Sequence, residues 1–347
     1  MRENLEFYQS SAYLITSEVD RFYYSGVKND EGYLLLLPDK SYYFTDARYF
    51  YALKNSLKDK NVIPLLYKGI EDIKSLLITE NITTLFIDFD RVTLTEYKNY
   101  ETLCEKVCDG SEQLKRARIT KTNIEIESIK KACDIASSAF DYILPFIKKG
   151  VTELSIKKRL ETFMKKQGAE KPSFETIVAF SKNSAVPHHQ TGKTKLKQNQ
   201  AVLMDYGCVV NGYSSDITRT VFYGTPTDKF KQTFYAVAGA NLLGMERVSV
   251  GKSVREVDGE VREYFNSLGV LDKFTHSLGH GVGLEIHEEP RLSPKGKGEL
   301  KNGMVFTIEP GLYYDGEFGV RIENTVALID GKVVSLTGNG RKLITIE

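Results

Sequence analysis

The chain has 347 residues, which at roughly 150 residues per domain implies about two domains rather than one small module. Hydrophobic residues make up 41% and charged residues 27%, values that exclude disordered, collagen-like and fibrous classes. Lys plus Arg number 47 against 46 Asp plus Glu, so net charge gives no case for a nucleic-acid or anionic-membrane partner.

The first twenty residues mix charged and polar groups where a signal peptide needs an apolar core. No apolar run approaches the roughly 18 residues of a bilayer span, and the longest near the start is Tyr33 to Leu37. A cytoplasmic protein is expected. From Tyr33 to about Asp90 short apolar runs (YLLLLP, SYYFT, NVIPLLY, TTLFIDF) alternate with turn residues and one helix-like stretch, Asp46 to Leu57, which reads as a small α/β domain. The acid-free stretch Lys115 to Lys121 reads as a solvated strand or loop, or alternatively as a hinge or domain crossing. The four cysteines, Cys104, Cys108, Cys133 and Cys208, form no CxxC pair and are expected to be reduced.

Long helices follow. Thr122-x-x-Glu125 is a capping box, and Ile126, Ile129, Cys133, Ala136, Phe140, Ile143 and Ile147 define one buried face behind it. A second helix is expected from Thr152 to Gln167, ended by Gly168. Asp228 to about Arg247 carries Phe230, Phe234, Val237 and Leu242 toward a core, and Ser253-x-x-Glu256 opens a helix with Val257, Val261 and Phe265 on one side. Strand-like segments lie at Ala201–Val210, Tyr213–Tyr223, Gly303–Tyr314 and Gly319–Ile329. Helices paired around hairpins imply an α+β domain.

All five histidines, His188, His189, His276, His280 and His287, fall in the last half of the chain. Acidic partners for them come from strand geometry. Asn211-Gly212 suits a two-residue type I′ turn, which places Asp205 opposite Thr218 and puts Asp216 on the same face, about 7–8 Å away by backbone. A three-residue loop within Tyr314 to Phe318 would set Glu309 opposite Glu323. Four carboxylates converging without counter-charge repel one another, so a metal site is the economical explanation, and an oxygen-rich set with imidazole suits Mn, Co, Fe or Zn. His280 lies in Gly279-His280-Gly281-Val282-Gly283 and is expected on a tight turn passing close to a ligand. His276-x-x-x-His280 lacks the glutamate and the helix of a zinc protease motif, and the glycine run does not complete a dinucleotide fingerprint.

Taken together, VLMDYGCVVNGYSSDITRT, HSLGHGVGLEIHEEP, MVFTIEPGLY, GVRIENTV and, ahead of them, FETIVAFSKNSAVPHH resemble the motifs of the pita-bread metallopeptidases (M24), in the prolidase and aminopeptidase P branch. VDRFYYSGV and FTDARYFYAL are weaker markers of a creatinase-like N-terminal domain. The resemblance implies a small α/β N-terminal domain over residues 1–118 and a pita-bread catalytic domain over 119–347. It also implies two divalent metal ions, manganese being the first choice and Co, Fe or Zn the others. Asp205 would chelate one metal, Asp216 and Glu323 would bridge both, and His280 with Glu309 would complete the shell of the other metal. A bridging hydroxide would attack the bond before proline, with Glu309 accepting its proton. His188 would lie near the leaving nitrogen, His287 would donate to the carbonyl oxygen, and His276 and Arg321 would support the ligands. Arg291 resembles a clamp for a terminal carboxylate, which tilts the expectation toward a dipeptidase (prolidase) over an aminopeptidase acting on longer peptides. His189 is expected to be loop surface. A homodimer acting on proline-containing peptides is implied, with no nucleic-acid or membrane partner. Methionine aminopeptidase and creatinase fit less well, because the first generally lacks the N-terminal domain and the second does without the ligands. A two-metal nuclease would need a basic, aromatic-rich track, and Lys193 to Lys197 is too short. An inactive protein-binding module would not need all five ligands.

Overall fold

The computed structural model describes residues 5–347. The chain forms two compact units, dividing between Arg118 and Ile119.

The first unit is built on a six-stranded mixed sheet, β1 (Ser11–Ile15), β2 (Tyr33–Leu36), β3 (Ser41–Thr45), β4 (Val62–Leu66), β5 (Thr84–Ile87) and β6 (Lys106–Asp109), in the order β4-β3-β2-β1-β5-β6. Leu34, Leu35 and Leu36 are all fully buried, because helices cover both faces of the sheet and alternation has no wet side to mark. The helices are α1 (Glu18–Ser25), α2 (Ala47–Ser56), α3 (Ile70–Thr79), α4 (Leu94–Tyr100) and α5 (Ser111–Ile119). The basic stretch is therefore neither strand nor loop at its start: it is the end of α5. Two of its four cations are not solvated either. Arg118 is 6% exposed and pairs with the buried Asp20 at 3.2 Å, while Lys121 pairs with Glu288 at 2.6 Å. Buried charges need such partners, and these lie far away in sequence, where a charge-run reading cannot see them.

In the second unit α6 (Asn123–Ile143) and α7 (Glu153–Lys166) pack on a four-stranded sheet, β19-β11-β8-β7, made of β7 (Ile177–Phe180), β8 (Gln200–Tyr206), β11 (Ile217–Tyr223) and β19 (Thr345–Ile346). Two short strands, β9 (Val209–Val210) and β10 (Tyr213–Ser214), extend the β8–β11 hairpin. The pair α8 (Asp228–Arg247) and α9 (Val254–Ser267) packs on a second sheet, β13-β12-β14-β17-β18. Its strands are β12 (Gly279–Gly281), β13 (Glu288–Leu292), β14 (Val305–Ile308), β17 (Asn324–Ile329) and β18 (Lys332–Ser335), while β15 (Gly311–Tyr314) and β16 (Phe318–Arg321) form a separate ribbon. The α+β architecture with paired helices is as expected. Thr122 and Glu125 form the capping box of α6. Ser253 instead caps the amide of Arg255, without the reciprocal glutamate bond. Leu242 is 42% exposed; Asn241 and Gly244 take the buried positions of that turn of α8.

Both hairpins hold one register across an interruption. Val210 faces Tyr213, and Asp205 faces Thr218, with Asn211 and Gly212 both at positive φ as a type I′ turn requires. The ladder opens between these pairings, where Gly207 lies opposite Asp216. In the second hairpin Gly311 faces Arg321 and Ile308 faces Asn324, and the ladder opens at Glu309-Pro310 and Ile322-Glu323. Pro310 has no N–H to continue it.

Candidate metal centre

The open stretches of the two hairpins meet. Every residue nominated above for metal, substrate or catalysis lines one cavity of about 970 Å³. One carboxylate oxygen from Asp216, one from Glu323 and a ring nitrogen of His280 lie within 4.8 Å of one another. His280 Nε2 is 3.5 Å from both Asp216 and Glu309. Its Nδ1 bonds the carbonyl of Gly281 at 3.0 Å, which fixes the proton there and leaves Nε2 with its lone pair toward the acids.

His280 is not on a free turn, as its glycine neighbours suggested. It lies in β12, with the register shifting at His280/Gly281. The glycines are there for the strands on either side: a Cβ on Gly279 would sit 1.9 Å from the Thr307 carbonyl oxygen, and one on Gly281 would sit 2.2 Å from that of Glu289.

Hydrogen bonds aim the remaining ligand candidates. Thr218 donates to Glu323 Oε2 at 2.7 Å and accepts from Arg321 Nε at 3.1 Å. Arg321 also donates to Asp205 Oδ2 at 2.5 Å and to the Tyr313 hydroxyl at 2.7 Å. Asp205, expected as a chelating ligand, shares its Oδ2 with Arg321, and that hydrogen bond leaves the oxygen a second lone pair. Its other oxygen, Oδ1, is buried and has no hydrogen-bond partner among the described residues. The Tyr313 hydroxyl meets His276 Nε2 at 2.9 Å, and His276 Nδ1 meets the Ser277 carbonyl at 2.8 Å. Since Nδ1 must donate to a carbonyl, Tyr313 donates to Nε2 and accepts from Arg321.

The electrostatics follow from burial with one cation among four acids. Desolvation, then Glu323 and Asp205, drives the Asp216 carboxyl well above its ordinary range. Desolvation and Glu323 do the same to Glu309. Glu323 is pushed up to about 7 by desolvation and then Asp205. Burial opposes the charge of Arg321, but Tyr313 and the surrounding acids outweigh it and hold it cationic. Burial lowers His276 and His280 to about 3 and also lowers His287, so the rings are neutral. Converging, mutually destabilised carboxylates, a neutral imidazole with an in-facing lone pair and an orphaned Asp205 oxygen are a donor set that fits a divalent cation.

Around this centre, the His287 ring packs edge-on to His280, with centroids 4.4 Å apart. His188 and Arg291 are exposed on the cavity wall. His189 is not loop surface: its Nε2 lies 3.1 Å from the buried carboxylate of Glu153. Tyr313 and Glu153 went unnoticed in the sequence, and Thr218 was named only as the register partner of Asp205. Tyr313 had a signal, since side chains alternate along a strand and Tyr313 shares parity with Glu309, as Arg321 does with Glu323. Gly311 makes room for it, because a Cβ there would sit 2.5 Å from the Tyr313 hydroxyl.

Residues 127–330 match the model of metallopeptidase family M24. The chain belongs to that family. Residues 1–120 match the creatinase/prolidase N-terminal domain. Family M24 membership brings use of a divalent metal, in accord with the donor set. Among relatives, an Xaa-Pro dipeptidase of Pyrococcus furiosus is 36% identical, the match covering 95% of this chain and 94% of that one. The solved structure of an Xaa-Pro dipeptidase from Bacillus anthracis superposes with a TM-score of 0.92 at 33% identity, over 96% of this chain and 95% of its own. An X-Pro aminopeptidase from Thermotoga maritima gives a TM-score of 0.89 at 32% identity, over 97% of each chain. This M24 chain is a metallopeptidase with prolidases and X-Pro aminopeptidases among its relatives.

Proposed function

We propose that this M24 enzyme hydrolyses the Xaa-Pro bond of dipeptides in the cytoplasm, as a homodimer with two divalent ions, manganese first among them, held by Asp205, Asp216, His280, Glu309 and Glu323. The observation that carries the reading is the meeting of Asp216, His280 and Glu323 donor atoms within 4.8 Å, in a cavity that also presents His188, His287 and Arg291. Catalysis is assigned to residues 119–347, and residues 1–118 are the creatinase-like domain.

Bound divalent cations supply an acidified water and a polarised carbonyl at this centre. The chain's own groups do the rest. Glu309 would accept the water's proton at its carboxylate. His287, neutral, donates to the oxygen that becomes negative as the carbonyl carbon turns tetrahedral. His188 faces the leaving proline nitrogen, which has no N–H of its own and needs a proton as the bond breaks. Arg291 pairs with the terminal carboxylate of a dipeptide. Arg321, bonded to Asp205, Thr218 and Tyr313, keeps the ligand carboxylates aimed, and His276 holds Tyr313.

A second reading, an aminopeptidase acting on longer peptides, is favoured by one observation. The cavity of about 970 Å³ lies at the top of the roughly 300–1,000 Å³ range that holds drug-sized ligands, more room than two residues need. The deciding experiment compares Ala-Pro with Ala-Pro-Ala-Ala, using Mn-loaded protein with and without chelator. Cleavage of the dipeptide alone supports the dipeptidase, cleavage of the tetrapeptide supports the second reading, and cleavage of neither under any metal overturns both. Light scattering should give twice 39.2 kDa, and a particle of 39.2 kDa would overturn the dimer.

A further inference from the structure

The segment between β7 and β8 carries His188, and few of its side chains are buried. Of residues 181–194 only Ser184 is buried, and Val186, His188, Gln190 and Lys193 are exposed. No apolar side chain of the segment plugs into a core, so its path has to be set by polar contacts.

Ser184 Oγ accepts from the Gly319 amide at 2.9 Å and Thr191 Oγ1 from the Val178 amide at 2.8 Å, and the densest set of contacts meets at one further group. Glu153, the first residue of α7, has a fully buried side chain. Its Oε1 accepts from the Phe180 amide at 2.9 Å and from Asn183 Nδ2 at 2.7 Å. Its Oε2 accepts from the Gly192 amide at 3.1 Å and lies 3.1 Å from His189 Nε2. A carboxylate is acceptor only, so Nε2 carries the proton, and all four neighbours donate. Two of them precede His188 in the chain and two follow it. The backbone of the same turn joins in: the amides of Glu153 and Leu154 bond the carbonyls of Thr194 and Gly192 at 3.1 and 2.9 Å. An acid in the first turn of a helix ordinarily faces solvent and complements the dipole. Burying this one is justified only by the donors it gathers.

We infer that Glu153 and His189 are positioning residues that fix the His188 segment against the metal centre, so that His188 meets the substrate in one place. The inference rests on His188 acting in the proposed peptidase reaction.

In Mn-loaded full-length enzyme, E153Q keeps the size of the side chain but turns one acceptor into a donor. Whichever oxygen it replaces, the amide of Phe180 or of Gly192 then faces an NH2 group. The expected result on Ala-Pro is a fall in kcat of about tenfold or more, with bound manganese per chain unchanged. A merely structural role would give the same loss whatever residue stood at 188. If Glu153 acts through His188, the cost of E153Q shrinks to about twofold or less in an H188A background. H189A should lower kcat by a smaller factor, about threefold, and H189Q, which restores an N–H toward Glu153, should recover part of it. This pair carries the test if E153Q does not fold. Wild-type kcat in E153Q or H189A, or an undiminished loss in the H188A background, would overturn the inference. If the wild-type enzyme cuts no Xaa-Pro peptide, the proposed function fails separately, and amide exchange still decides this point. E153Q should then speed exchange across residues 180–194 by about tenfold while sparing the β8–β11 hairpin, and unchanged exchange would overturn the positioning role.

Discussion

Adding a divalent cation to chelator-treated protein should expel protons, and the carboxylates of the centre set how many. Glu323, raised to about 7 chiefly by burial, is about half protonated at neutral pH, and a cation must displace that proton. Asp216 and Glu309 are shifted upward for the same reason and add up to one proton each. His280, lowered to about 3, adds none. The release at neutral pH is therefore about 0.5 to 2.5 protons per chain, declining as pH rises past the Glu323 value. Stability takes its sign from the same shift. With its folded value raised from 4.5 to about 7, Glu323 contributes fully to the metal-free protein below the lower value and stops contributing as pH climbs through the upper one. At about 1.4 kcal/mol per pKa unit this is on the order of 3 kcal/mol, which metal binding should restore. Titration calorimetry in two buffers of equal pH and different ionisation enthalpy counts the protons. Thermal unfolding of the metal-free protein between about pH 5 and pH 8 reads the stability. Zero release near neutral pH, or metal-free protein that grows more stable across that interval, would refute the reasoning.

Asp216→Ala removes a donor from the heart of the cluster and should cost at least one metal per chain along with the activity; full metal content by mass spectrometry with normal turnover would remove Asp216 from the ligand set. His287→Ala should lower kcat by about a hundredfold or more with metal content intact, and near-native turnover would take it out of the reaction. Tyr313→Phe deletes the hydroxyl joining His276 to Arg321, and a loss of about ten- to a hundredfold in activity or metal affinity is expected; a variant indistinguishable from wild type in both would show that Arg321 needs no such support.

The hairpin registers were legible because local rules set them. Asn211-Gly212 and a three-residue loop at 315–317 determine which residues face each other, and strand alternation then puts Asp205, Asp216, Glu309 and Glu323 on facing surfaces. The helix faces were legible for the same local reason, apart from Leu242, which the packing of α8 leaves outside. What could not be read depends on residues distant in sequence. Arg118 and Lys121 looked like wet surface because nothing nearby announces Asp20 or Glu288. The glycines around His280 suggested a ligand-hugging turn, but the close neighbours are the backbones of β14 and β13. Glu153 passed as an ordinary first-turn acid, since its four donors come from a segment that begins beyond the end of α7. Asp205 gave its position but not its hydrogen bond, because Arg321 lies on the other hairpin.

The ligand set is divided between two halves of the catalytic unit, which also share core residues such as Phe222 and hydrogen bonds such as Thr218 to Glu323. Asp205 and Asp216 belong to the hairpin backed by α6 and α7, while His280, Glu309 and Glu323 belong to the sheet backed by α8 and α9. A cation held by both is a clasp across the seam as well as a reagent. Chelation should then do more than silence the enzyme: it should let the halves part more readily and make the seam a preferred place for proteases to enter, so that metal supply governs how long the protein survives as well as how fast it works.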